Sequence, residues 1–298
     1  MSEKSLSKVA VLGMGVVHSF GGIPELLRSA SGEIPGHQKN IHPINTEELT
    51  DILPMRACRR VPYVARVALM AASRALAAAK LHPAQVDLGI ACGTAFSSIQ
   101  TGLDFMDSIL DNSPRLSSPT AFSYSVSNMA AGMLSMLLGV RGPTLTVTQF
   151  SLSFAGALTS ASAMIADERS EYVLVGAFEE HDTRFDHTMA YAGSPQYPEA
   201  EGAVFFVLGK QKAGYPTIRV AWNPAPGTVP PLTTAKPVVN IFGNTSLGHA
   251  METCLLLQKH SQPSAGAKNA ENPNLPHTVG TQITDPHTGR TVAVLIHY

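Results

Sequence analysis

The chain has 298 residues, enough for one large or two small α/β domains, and 44% of them are apolar against 14% charged. Much of it must therefore be buried, in a core or against another subunit. The net charge is −1 and there is no basic cluster, which argues against nucleic acid as a partner. Cys58, Cys92 and Cys254 have neither metal-ligand nor disulfide-framework spacing, and the eleven histidines show no paired ligand spacing. No metal or cofactor is expected. The apolar run Val9–Val17 is too short and glycine-interrupted to span a membrane, and three scattered cysteines fit a reducing cytoplasm.

In chain order, Lys8 to Leu12 reads as a strand that breaks at a tight turn, Gly13-Met14-Gly15. A lone Gly-x-Gly is a weak dinucleotide signal, and the third glycine of that fingerprint is misplaced. Ile23 to Ala30 reads as a short helix and residues 31–55 as loop. Tyr63 to Lys80 is a strong helix with its apolar stripe at Val64, Val67, Ala68, Ala71, Ala75 and Ala78, ended by Leu81-His82-Pro83. Val86 to Cys92 is a strand. Ile99 to Leu110 is a helix with Asp104, Asp107 and Asp111 near one face, either a cation site or a solvated surface. Residues 114–119 read as linker. Asn128 precedes a small-residue helix, which it either caps or serves in another way.

Gly142-Pro143 then opens a short buried strand, Thr144 to Thr148, which runs directly into a helix, Phe154 to Ile165. Ser151 lies at the bend between them, near the free N–H groups and positive end of that helix, where a nucleophile beside an oxyanion site is well placed. Gln149 is a strand-end residue. Strands follow at Tyr172 to Val175, Glu201 to Leu208 and Thr217 to Trp222, with a turn at Gly176-Ala177-Phe178-Glu179-Glu180. Val238 to Ile241 leads through Asn244 and His249 into a helix over Ala250 to Lys259. Residues 261–277 are polar and Pro-rich, a flexible segment, and Thr291 to Tyr298 is a last strand.

These residues resemble the β-ketoacyl synthases, the condensing enzymes of fatty-acid and polyketide synthesis. The likeness rests on Val9–Val17, Ala121–Gly132, the Gly-Pro turn, and Glu201-Gly202-Ala203 with its strand. In that family the catalytic Cys stands eight residues after the Pro; here that position is Ser151. The family's Lys-x-x-x-Gly-His run is matched by Asn244 in place of the Lys and by His249, while the first catalytic His has no counterpart. The resemblance implies a thiolase-like α/β fold of α-β-α-β-α layers, with a mostly parallel sheet. A ketosynthase-like N-terminal half would span 1–212 and an abbreviated C-terminal half 213–298.

A thiol with a pKa of about 8.5 ionises readily at a helix N-terminus, and a Ser hydroxyl needs a general base instead. Ser151 and His249 are thus the candidate catalytic pair, and Asn128, Phe150 and Asn244 candidate binding residues. Two functions are implied. One is a non-condensing, chain-length-factor-like subunit paired with a catalytic ketosynthase, or with itself. The other is a Ser-dependent acyltransferase or thioesterase on acyl-carrier-protein or coenzyme A thioesters. Under either, the acyl carrier protein is an expected partner and Thr144–Thr148 an interface strand, with Met129, Met133 and Met136 adding an adaptable surface.

Overall fold

The computed structural model describes residues 8–19, 21–30, 43–112, 114–185, 187, 201–224, 245–261, 278–285 and 288–298. Asn244, the strand expected before it and nearly all of the Pro-rich segment lie outside them.

Strand β1 (Val9–His18) does not stop at Gly13. It continues antiparallel to β5 (Gly202–Gly209) from Ala10↔Gly209 to His18↔Gly202, with a register shift between Val11 and Gly13. The expected turn is corrected by packing. A Cβ on Gly13 would stand 2.5 Å from the Ala75 carbonyl oxygen, and one on Gly15 would stand 2.2 Å from that of Ala71. Both residues belong to α3 (Tyr63–Ala79), following the short helices α1 (Ile23–Ala30) and α2 (Met55–Cys58). The glycines let a strand and a helix touch through their backbones. Helix α3 buries Val64, Val67, Ala68, Ala71 and Ala75 as its periodicity predicts, while Ala78 is exposed. It ends at Lys80, whose left-handed φ of 55° and backbone N–H to the Leu76 and Ala77 carbonyls close the last turn.

Strand β2 (Leu88–Gly93) is buried throughout and pairs in parallel with β3 (Thr144–Val147) and β4 (Tyr172–Glu179). With β6 (Thr217–Trp222), β7 (Thr278–Thr284) and β8 (Thr291–His297), the sheet order is β3-β2-β4-β5-β1-β6-β8-β7. The sheet is mixed rather than mostly parallel, since every pairing other than those of β2 is antiparallel. The sequence shows why this was hidden. A strand covered on both faces is a continuous apolar run in either direction, so Val173–Phe178 and Ala203–Leu208 carry no mark of orientation.

Alternate residues of these strands enter two cores. Ile90, Cys92, Leu174, Phe178, Phe205 and Val207 face α3 and α6 (Met129–Leu138). Ala91, Val173, Val175, Val204, Phe206 and Leu208 face α7 (Ser153–Ala166) and α8 (Ser246–Ser261), in a core that also takes Val220, Val279, Val292 and Val294. Helix α7 touches both β2 and β8. In a flat sheet those strands would be roughly 24 Å apart, five spacings of about 4.8 Å, too far for one helix to reach. The sheet therefore folds round α7 and α8. The layers run α3 with α6, β1 to β5, α7 with α8, then β6 to β8, which are four of the five layers expected of a thiolase-like α/β fold.

Three smaller expectations change. The stretch 114–119 is a 3-10 turn, Pro114–Leu116, before α5 (Pro119–Ser125), which Ser118 caps by accepting the Ala121 N–H at 3.2 Å. Asn128 stands at the N-cap position of α6, but its exposed side chain makes no capping bond. Two of the three aspartates of α4 (Ile99–Asn112) meet a side-chain cation: Arg184 donates to Asp104 at 2.8 Å and to Asp107 at 2.7 Å.

Candidate functional site

The bend after β3 is built by its own side chains. The Gln149 N–H donates to Ser153 Oγ at 2.7 Å, and Ser153 Oγ donates to the Phe150 carbonyl at 2.7 Å. These bonds close a 3-10 turn, Phe150–Leu152, in which Phe150 takes a left-handed φ of 48°. A bulky side chain holds that conformation only where its surroundings impose it. Two glycines bring the turn into place. A Cβ on Gly93 would strike the Ser153 and Phe154 backbone at 2.7 Å, and one on Gly156 would stand 2.8 Å from Val147. Helix α7 can thus begin against the ends of β2 and β3.

Ser151 lies at this strand-to-helix bend and is buried. Its Oγ donates to Asp285 Oδ2 at 3.1 Å, a partner the sequence reading missed. Asp285 follows β7, and its other carboxylate oxygen accepts the Thr288 N–H at 2.8 Å and hydroxyl at 2.9 Å. Asp285 opens the turn into β8, with Thr288 three residues on and Gly289 at a φ of 67°. That aspartate-to-glycine spacing before the last strand is a turn signature that could have drawn attention to it.

His249 sits in the first turn of α8, buried, with its ring edge-on to Phe154 at 5.7 Å between centroids. Among the described residues neither ring nitrogen has a hydrogen-bond partner, and the Oγ of Ser246 one turn earlier has none either. Burial pushes the imidazole pKa down to about 4, with the Thr281 backbone opposing weakly. The Ser151 turn packs against both α8 and β7. Even so, Ser151 and His249 form no hydrogen-bonded dyad. The hydroxyl points at a carboxylate, and the imidazole is held neutral by burial.

Beside the turn a cleft of about 630 Å³ opens, lined by Val147, Phe150, Leu152, Trp222, Asp285 and Arg290 among others. Phe150 is thus a wall of the cleft. Its ring meets Phe96 at 6.1 Å, and Phe96 meets Phe185 at 4.9 Å.

A second buried group also escaped the sequence reading. Glu179 is the last residue of β4, where a turn was expected. Its carboxylate accepts the N–H groups of Ala95 and Phe96 and the Thr94 hydroxyl, and burial raises its pKa to about 7 against those bonds. Glu180 accepts the Gln100 N–H at 2.8 Å. Burial raises it to about 8, offset by that bond and reinforced by the neighbouring carboxylates. Glu201 accepts the Tyr63 hydroxyl and the N–H groups of Ile44 and His181. These glutamates tie the loops at the ends of β2 and β4 together. No metal-competent cluster of His, Cys, Asp or Glu occurs among the described residues, and no described helix is long and apolar enough to cross a membrane.

Residues 22–194 match the family model described as the N-terminal domain of β-ketoacyl synthase. No curated protein matches the chain in sequence. Among solved structures, the chain is similar to AntDE:AntF, described as a type II polyketide synthase acyl-carrier protein in complex with its ketosynthase bound to the hexaketide. The identity is 16% and the TM-score 0.74, over 97% of this chain and 99% of that one. It is also similar to the ishigamide ketosynthase/chain length factor, at 14% identity and a TM-score of 0.72 over 98% and 99% of the two chains. A third is the ketosynthase ApeO in complex with its chain length factor ApeC from Xenorhabdus doucetiae, at 15% identity and 0.63 over 98% and 100%. At such identities the likeness is one of fold.

Proposed function

The chain belongs to the β-ketoacyl synthase family, and from that premise we propose that it is a non-condensing, chain-length-factor-like subunit that pairs with a catalytic ketosynthase in fatty-acid or polyketide synthesis. The observation that carries this reading is the state of the nucleophile turn. Its bend is intact, yet it presents a hydroxyl bonded to Asp285, beside a neutral histidine that the hydroxyl does not reach. Decarboxylative condensation needs a thiolate and donors for the developing enolate, and these groups supply neither.

Two further features support a paired role. Strand β3 is one of the two edge strands of the described sheet, with β2 on one side and no described strand on the other. Phe150, Val126 and Met136 are exposed apolar residues on the β3 turn and at α6. The structures the chain resembles include ketosynthase and chain-length-factor pairs and an acyl-carrier-protein complex. We take residues 1–212 as the ketosynthase-like half, 213–298 as the reduced one, and the cytoplasm as the compartment. The acyl carrier protein would then be met by the pair rather than by this chain alone.

A second reading, acyl transfer or hydrolysis through Ser151, is favoured by one observation only, the contact of its hydroxyl with a carboxylate that can accept a proton. One experiment separates the two. The chain is expressed with a full-length catalytic ketosynthase, the mass of the purified species is measured, and each is incubated with an acyl thioester for intact-mass analysis. The proposal expects a stable heterodimer and no acyl adduct on this chain. A soluble monomer that ignores the ketosynthase would overturn it, and an adduct lost in Ser151→Ala would establish the second reading.

A further inference from the structure

We propose that Arg184 is the latch of a charge-held relay of aromatic rings that sets the turn carrying Ser151. This goes beyond the partner role and does not depend on it.

Arg184 is ringed by carboxylates from two elements. Its Nε and one terminal nitrogen grip Asp182 at 3.0 and 2.7 Å, a two-point contact, and its other contacts reach Asp104 at 2.8 Å and Asp107 at 2.7 Å on α4. The guanidinium therefore ties the segment after β4 to a different helix. One side chain is ordered for three partners, so the loss of freedom per contact is smaller than in an isolated pair. Asp182 is buried and accepts the Arg184 N–H at 2.8 Å as well. Its pKa is lowered chiefly by the hydrogen bond from Arg184.

The next residue, Phe185, packs on Phe96, and Phe96 packs on Phe150. Phe96 does not wander, because Glu179 accepts the N–H groups of Ala95 and Phe96 and so anchors their loop. At the far end Phe150 is held left-handed, a conformation a phenylalanine adopts only under constraint. Its backbone is constrained by Ser153, and its ring by Phe96. A shift of Phe185 would thus reach the residue before Ser151 through two ring contacts. Arg184 positions this turn and takes no part in chemistry.

Trp222 is the chain's single tryptophan and lines the same cleft as Phe150. Its emission reports on that wall in the folded protein. The test compares emission maximum and acrylamide quenching in wild type, Arg184→Gln, Arg184→Lys, Phe185→Leu and the Arg184→Gln/Phe185→Leu double variant, with far-UV circular dichroism to confirm folding. The latch predicts that Arg184→Gln and Phe185→Leu shift the signal alike, that the double variant shifts it no further, and that Arg184→Lys falls between wild type and Arg184→Gln. At about 1 M salt, where the Debye length is about 3 Å, wild type should move toward Arg184→Gln while that variant stays put. The latch is overturned if Arg184→Gln leaves the Trp222 signal at its wild-type value. It is equally overturned if the two single effects add, or if salt moves both proteins alike.

Discussion

The Ser151 hydroxyl donates a hydrogen bond to Asp285 at 3.1 Å, across 134 residues of sequence, and this one bond ties the nucleophile turn to the β7–β8 connection. A carboxylate in that place disfavours a second negative charge beside it. A thiol at position 151 should therefore be a poor thiolate despite the helix N-terminus below it.

The prediction that follows uses Ser151→Cys in a Cys58→Ser background, where the native thiols left are Cys92 and Cys254, both buried, with pKa values raised by burial. Iodoacetamide should alkylate Cys at 151 slowly near neutral pH, and Asp285→Asn should speed the reaction. Mass spectrometry of the alkylated protein against time is the measurement. Equal rates with and without the carboxylate would contradict the electrostatic account of the turn.

A second prediction concerns pH. His249 and His18 are held neutral by burial, each with a pKa of about 4 against 6.5. As pH falls below 6.5 the unfolded chain takes up protons that the folded chain refuses. The stability these histidines contribute is present above 6.5 and lost as pH falls through 4, by about 3 kcal/mol for each in the limit. Glu179 and Glu180 act in the opposite sense, with folded values of about 7 and 8 against 4.5. Their contribution is present below 4.5 and lost as pH rises through 7 to 8. Urea unfolding of His249→Leu should show a weaker loss of stability on going from about pH 7 to about pH 5 than wild type does. Glu179→Gln should remove a loss of stability that wild type shows as pH rises from about 4.5 to about 7. Unchanged pH profiles in both variants would show that these groups titrate equally in the folded and unfolded states.

A third prediction tests the reassigned glycines. Gly15→Ala would force a methyl group to within 2.2 Å of the Ala71 carbonyl oxygen on α3, so β1 and the helix must separate. The expected cost is about 1–3 kcal/mol or somewhat more. At Gly102 an added methyl group would meet nothing within 4 Å, so Gly102→Ala should not destabilise, because Ala is the better helix former. Denaturant midpoints of the two variants decide it, and equal losses would mean that β1 does not meet α3 as described.

How much of this was legible in the sequence follows from what each signal encodes. The Gly-Pro turn and the small-residue helix placed Ser151 correctly because turn chemistry and helix periodicity are local. Gly13 and Gly15 misled because a glycine needed for close packing looks the same as one needed for a turn. Strand β7 went unrecognised, since Thr278–Thr284 is polar, with Gln282 and Thr284 exposed beside buried Val279 and Ile283. The Ser151–Asp285 and Arg184–Asp104 pairs join distant segments, and one sequence read by itself carries no mark of such contacts. Glu179 and Glu180 read as turn residues because buried carboxylates are rare, and only the N–H groups that converge on them explain their place.

The last prediction concerns the outer edge of β3. The carbonyls of Pro143 and Val147 accept N–H groups from Ile90 and Thr94, so odd-numbered residues of this strand face β2. By alternation the N–H and C=O of Thr144 and Thr146 face away, toward the side where the sheet has no further described strand. If a partner's strand adds there, Thr146→Pro should abolish the pairing, since it removes an outward donor. The same change should spare the fold, because no N–H toward β2 is lost. Leu145→Pro is the matched control: it removes an inward donor and should destabilise the chain itself. Native mass spectrometry with the catalytic ketosynthase, alongside denaturant midpoints of the isolated chain, reads both effects. A Thr146→Pro chain that still forms the complex with wild-type affinity would show that β3 is not the joining strand, whatever the partner.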